Sequence, residues 1–271
     1  MPSTNRKIPE ALTPNEQAVY LEVMKKKICS LEDINEVTGN YQTSRAVMSR
    51  LSGKGYAMRA HRGYYAGVPP ESVGMNYEVD RYILAHKVGN HGGALAYHTA
   101  LELHGVAHSY FNTVYCLRPK SLRGFDFQGI EYRYIETKKL FGVFHLMREG
   151  IRIPVTDRER TFLDCIRRPD YCGGLEEVLK SLSTFHTIDV KAIDGYLGEF
   201  HEQSLMQKIG FVLTILKDEL KVSEDYLDKL RNRVREKIYY LAPRPKTGAG
   251  RLIGEWNLIV PRNLSEVTHY A

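Results

Sequence analysis

Between Gly39 and Gly67 the chain reads GNYQTSRAVMSRLSGKGYAMRAHRGYYAG, with five basic side chains and no acidic one, and its apolar spacing changes halfway along. The first half repeats at helical intervals, with Val47 and Leu51 turned inward, while the second half reads as strand, turn and strand. A cationic helix that runs straight into a cationic hairpin is compatible with few folds.

The preceding residues narrow the choice. Thr13 followed by Pro14 is a helix start, and Val19, Tyr20, Val23 and Met24 then share one face. Ser30 and Asp33 have capping-box spacing, Leu31, Ile34 and Val37 line an inner face, and Gly39 supplies a left-handed stop. Thr43 or Ser44 is expected to cap the third helix, with Gly53 and Gly55 ending it. Strands at 56–59 and 64–67 around a turn at 61–63 complete a winged helix-turn-helix over residues 1–67.

In that arrangement the third helix can enter a major groove of double-stranded DNA while the wing runs along phosphates. Gln42, Arg45 and Ser49 are the candidates for base edges, with Thr43 and Ser44 beside them. Arg50, Lys54, Arg59, Arg62 and Tyr64 are the candidates for phosphate, and Arg50 also lies near enough to the buried face to brace helix two. Winged helices also serve as protein-docking modules, so the charge pattern carries the DNA reading.

The net charge of +6 is concentrated. Residues 1–67 hold ten Lys and Arg against six Asp and Glu, and residues 68–271 hold twenty-eight against twenty-six. A second basic run, 229–251, has eight basic residues against Glu236. Read as part of one helix over 223–241, it places Leu227, Leu230, Val234, Ile238 and Leu241 inward and Lys229, Arg231, Arg233, Arg235 and Lys237 on its flanks. Those five would extend a DNA footprint without reading bases, or meet an acidic partner protein.

With 43% apolar residues in 271, the chain can bury substantial cores. Residues 68–75, GVPPESVG, have the composition of a linker or domain edge, and 76–271 form the larger unit. Helices are expected at 76–87 and 93–103, strands at 114–117, 125–127, 130–135, 143–147 and 151–155, then helices at 156–167, 174–182, 188–200 and 202–220. A last strand at 256–260 follows the segment PRPKTGAG. Strands followed by helices make the fold class α+β.

No apolar run approaches the length of a bilayer span, and the first twelve residues lack the apolar core of a secretory signal, so a cytoplasmic location is expected. Cys29, Cys116, Cys165 and Cys172 show no CxxC spacing and read as buried thiols.

His86, His91, His98, His104 and His108 are dense, but no acid or Cys is spaced to join them, and neither a metal nor a cofactor is expected. Asp126 with Glu136 and Lys138 matches the spacing of an Mg²⁺-dependent nuclease. Asp189 with Lys191 and Glu219 with Lys221 repeat the local pattern at segments that read as helical, so the match is no more than chance supplies. No catalytic assignment follows from it.

Several stretches resemble the AbiEi-type antitoxins of type IV toxin-antitoxin (abortive infection) systems. They are HRGYYAG (61–67), YHTALELHGV (97–106), VTDRERTFLDCIRRPDYCGGLEEVLKSL (155–182), SLMQKIGFVLTIL (204–216) and WNLIVP (256–261), and their order spans nearly the whole chain. The resemblance implies a repressor that binds an operator, with inverted repeats expected, in its own promoter and counters a partner nucleotidyltransferase toxin. Within those motifs, Thr156 with Glu159 reads as a helix cap, Arg160 with Asp164 as an i,i+4 pair, and Gly210 as a site of close helix packing.

Overall fold

Thr13 opens α1 (Pro14–Lys26) through a complete capping box with Glu16, and Ser30 opens α2 (Leu31–Thr38) through a second with Asp33. Gly39, at φ +71°, ends α2 as its lack of a Cβ allows. α3 (Tyr41–Gly53) begins earlier than the sequence predicts. Asn40 is its cap, its side-chain oxygen accepting from the N–H groups of Gln42 at 2.8 Å and Thr43 at 3.2 Å. These details come from a computed structural model, which describes residues 10–89, 92–242, 250–262 and 264.

The wing is a three-stranded sheet. β2 (Ala57–His61) and β3 (Tyr64–Gly67) form the predicted hairpin, and β1 (Ile28–Ser30), too short to show alternation, adds to the outer edge of β3. Val19, Val23, Ile34, Val47, Met48 and Leu51 form the core beneath the three helices. Val68 and Val73 close that core from the segment after the wing, so 68–75 is a packed domain edge containing one 3-10 turn, Pro70–Ser72.

The larger unit is built on a mixed six-stranded sheet of order β6-β7-β5-β4-β9-β8. Its elements are α4 (Arg81–Gly89), β4 (Ala94–Leu95), α5 (His98–Leu103), β5 (Thr113–Arg118), β6 (Phe125–Phe127), β7 (Ile130–Glu136), β8 (Val143–Arg148) and β9 (Ile151–Thr156). Two predicted helices change here. α4 starts at Arg81 because Asp80 caps the N–H groups of Tyr82 and Ile83. The second helix gives up its first turn to β4, whose backbone joins β5 to β9.

α6 (Arg158–Arg167), α7 (Leu175–Ser183), α8 (Val190–Phe200), α9 (Gln203–Ile215), α10 (Lys217–Leu220) and α11 (Glu224–Arg231) follow. Asp157 caps α6, its carboxylate accepting from the Arg160 N–H at 2.7 Å, while Thr156 is the buried last residue of β9. α11 stops at Arg231, ten residues short of the sequence expectation. The chain then turns so that β10 (Tyr239–Tyr240) can pair in parallel with β12 (Leu258–Val260), beside β11 (Arg251–Ile253).

Trp256 sits in a 3-10 turn before β12 and is fully buried. Its ring fills the space over Gly210 of α9, where an added Cβ would fall 2.0 Å from a ring carbon. The glycine therefore admits an indole rather than a neighbouring helix. Most of the PRPKTGAG segment lies outside the described residues.

One core joins the two units. Ile28, Ala60 and Ala66 of the wing pack with Ile83, Leu84, Val114, Tyr132 and Ile153 of the body. His61 lies against Phe125 with ring centroids 4.5 Å apart. The side chain of Gln128 donates to the Met58 sulfur of β2 at 3.6 Å, while it also donates to the Tyr77 carbonyl and accepts from the Val79 N–H within the larger unit. All four cysteines are buried and unpaired, and no described helix is long and apolar enough to cross a membrane.

Candidate nucleic-acid interface

The exposed stripe of α3 runs Gln42, Arg45, Ala46, Ser49, at intervals of three, four and seven residues, while Val47, Met48 and Leu51 face the core. Ala46 is short enough to let a base approach closely. Beside the stripe lies a groove of about 710 Å³, lined by Arg45 and Tyr41 from α3, Arg59, Arg62, Tyr64 and Tyr65 from the wing, and Glu32 at the start of α2. The fold thus brings Arg45 to Arg59 and Arg62 across fourteen or more residues of chain. Among the described residues none of these three guanidiniums has an acidic partner.

Not every sequence candidate faces this groove. Ser44 is fully buried, its hydroxyl 2.7 Å from that of Thr38 and 3.0 Å from the Asn40 carbonyl, so it joins α2 to α3. Thr43 is half-buried, with its N–H given to the cap.

Arg50 and Lys54 reach the other way, to α1 rather than α2. Both donate at 2.8 Å to the buried carboxylate of Glu16, and Lys54 also donates to the Ala11 carbonyl. Their first role is to clamp α3 to α1. The hydrogen bond from Lys54, with the Thr13 N–H and Arg50, lowers the Glu16 carboxyl to about 2 against burial.

A depressed carboxylate stabilises the fold above its unfolded pKa, near 4.5, and that stabilisation is lost as pH falls through about 2. Glu16→Gln is therefore expected to lower the urea midpoint at pH 7, and the gap from the parent should close between pH 4.5 and pH 2. A pH-independent gap would show that the charge is not what matters.

The second basic run separates once α11 ends. Arg231 pairs with Glu224, Asp228 and Glu255 at 2.6, 2.7 and 3.0 Å, and Arg233 pairs with Asp194. Lys237 lies over the Tyr239 ring, and Lys229 and Arg235 are exposed. No single helix face presents the five.

The remaining sequence candidates are dispersed. His98 is buried between Glu102 and Glu177, at 3.4 and 3.6 Å, while the His104 ring meets the Thr156 carbonyl at 2.9 Å; His91 lies outside the described residues. Among the described residues no three His, Cys, Asp or Glu side chains are placed to hold a metal. Asp126 is opposite Glu131, so Glu136 is five residues further along β7, about 16 Å away. Asp189 caps α8. The paired carboxylates of the nuclease pattern are not brought together.

Arg160 and Asp164 form a buried pair at 2.8 Å, with the guanidinium over Phe141 and Phe200. Burial pushes the Asp164 carboxyl up to about 6 even against the pull of Arg160. The pair belongs to the core of the helical half rather than to its surface.

Tyr41 and Tyr65 were not singled out by charge or spacing, although an exposed aromatic at a helix start is a usable signal.

The chain matches no known family profile and no curated protein. Its fold is similar to that in the crystal structure of the RV2827C protein from Mycobacterium tuberculosis, with a TM-score of 0.66 over 98% of this chain and 97% of that one at 13% identity. The likeness therefore extends through both units and is a likeness of fold.

Proposed function

We propose that the protein is a DNA-binding transcriptional repressor, with Gln42, Arg45 and Ser49 at base edges and Arg59, Arg62 and Tyr64 along phosphates. The observation that carries this reading is the groove in which Arg45, Arg59 and Arg62 converge without acidic partners. Unpaired guanidiniums in a concave surface suit phosphates and guanine edges, to which their fork can bind in bidentate fashion.

The resemblance to AbiEi-type antitoxins extends the proposal. On that reading the protein binds inverted repeats in its own promoter, and the larger unit counters a nucleotidyltransferase toxin. A gel shift on the DNA upstream of its gene, against random duplex and over a salt series, tests the first half. A specific complex that weakens with salt is expected, because each phosphate engaged releases counterions. Absence of any complex at low salt would leave the winged helix as a docking module.

A further inference from the structure

A second cationic concavity lies on the body, where β4 begins. It is an open concavity of about 650 Å³, bordered by Lys87 and His86 from the last turn of α4 and by the exposed His145 and Arg152 from the β8–β9 hairpin. Leu140, Val143 and Pro154 give it apolar walls, and among the described residues no acidic one lines it.

The end of a helix accounts for a lysine and a histidine, since cations there meet the negative end of the dipole. It does not account for His145 and Arg152. Met147 is opposite Arg152 and Pro154 is opposite His145, so the two are diagonal cross-strand neighbours, roughly 7–8 Å apart. Among the described residues Lys87, His145 and Arg152 have no acidic partner. Arg148 of the same hairpin, by contrast, pairs with Asp80. The cavity beside the wing likewise holds Glu78, Asp80 and Glu149 along with Arg81 and Arg148.

We propose that this cavity binds a small ligand bearing two or more phosphates, with Arg152 and Lys87 as its main contacts. Its volume falls within the range of small-molecule sites. Apolar walls around like charges concentrate the positive potential, and a guanidinium beside an ammonium suits a diphosphate group.

The probe is inorganic pyrophosphate, titrated calorimetrically into the full chain at low salt. Saturable 1:1 binding is expected, weakened at least tenfold by Arg152→Gln and by Lys87→Gln. Line broadening of pyrophosphate in ³¹P spectra of the parent protein provides a readout independent of the variants' folding. Neither variant should change a gel shift on duplex DNA, and saturating duplex should leave pyrophosphate binding intact. Failure of pyrophosphate binding would thus sink this proposal without touching the repressor reading. Binding by both variants as tight as that of the parent, no saturation, or displacement by duplex would each overturn it, the last assigning the cations to the DNA track.

Discussion

Arg45→Ala combined with Arg62→Ala is expected to abolish specific DNA binding at physiological salt while leaving the thermal midpoint unchanged. Arg45 stands on the exposed stripe of α3 and Arg62 at the wing tip, and neither braces another part of the fold. If Arg45 grips a guanine with both arms, its loss alone costs about 1–3 kcal/mol of discrimination, up to roughly a hundredfold. If Arg62 holds one phosphate, Arg62→Ala should reduce the salt slope by about 0.9 and weaken random and specific duplex alike. The double variant adds a second use. If the proposed toxin partner exists, co-expression of the double variant with it should show repression lost and toxicity still relieved. Wild-type affinity in the double variant would remove the groove from the function.

Gly210→Ala is expected to be the most damaging single-methyl change in the chain. The added carbon would lie 2.0, 2.4 and 2.6 Å from three atoms of the Trp256 ring, and that ring is wholly enclosed. Overpacking of this kind costs about 3 kcal/mol, or a fall in the melting midpoint of roughly 6–10 °C for a domain of this size. Gly198→Ala in α8 is the control. A Cβ there meets nothing within 4 Å, so the same substitution should stabilise by up to about 1 kcal/mol through helix propensity. Equal midpoints for the two variants would show that the indole does not occupy the glycine notch.

What the sequence could reveal follows the range of the forces involved. The starts of α1 and α2 were legible because a capping box is complete within four residues. The N-terminus of α3 was misplaced because three consecutive polar residues, Gln42, Thr43 and Ser44, follow Asn40, and only backbone geometry selects which of them caps. β1 and β4 have three and two residues, too few for any alternation, and exist because neighbouring strands supply their partners.

The false extension of α11 has a similar cause. Val234, Ile238 and Leu241 keep a helical period, yet Tyr239 and Tyr240 are claimed by a strand eighteen or more residues away. Arg45, Arg59 and Arg62 stood out as candidates because their stretch lacks acids altogether, and the fold places all three on one groove. The clamp that Arg50 and Lys54 make on Glu16 was not legible, because that partner lies 34 and 38 residues upstream.

Ile28, Ala60 and Ala66 root the wing in the body, and the His61–Phe125 and Met58–Gln128 contacts fasten its rim. If the winged helix reads DNA, it does so without a swivel. Once α3 settles in a groove, the azimuth of the remaining two hundred residues about the duplex is settled with it. On a palindrome, two copies would face each other at an angle dictated by the spacer, and five extra base pairs would turn one of them to the far side.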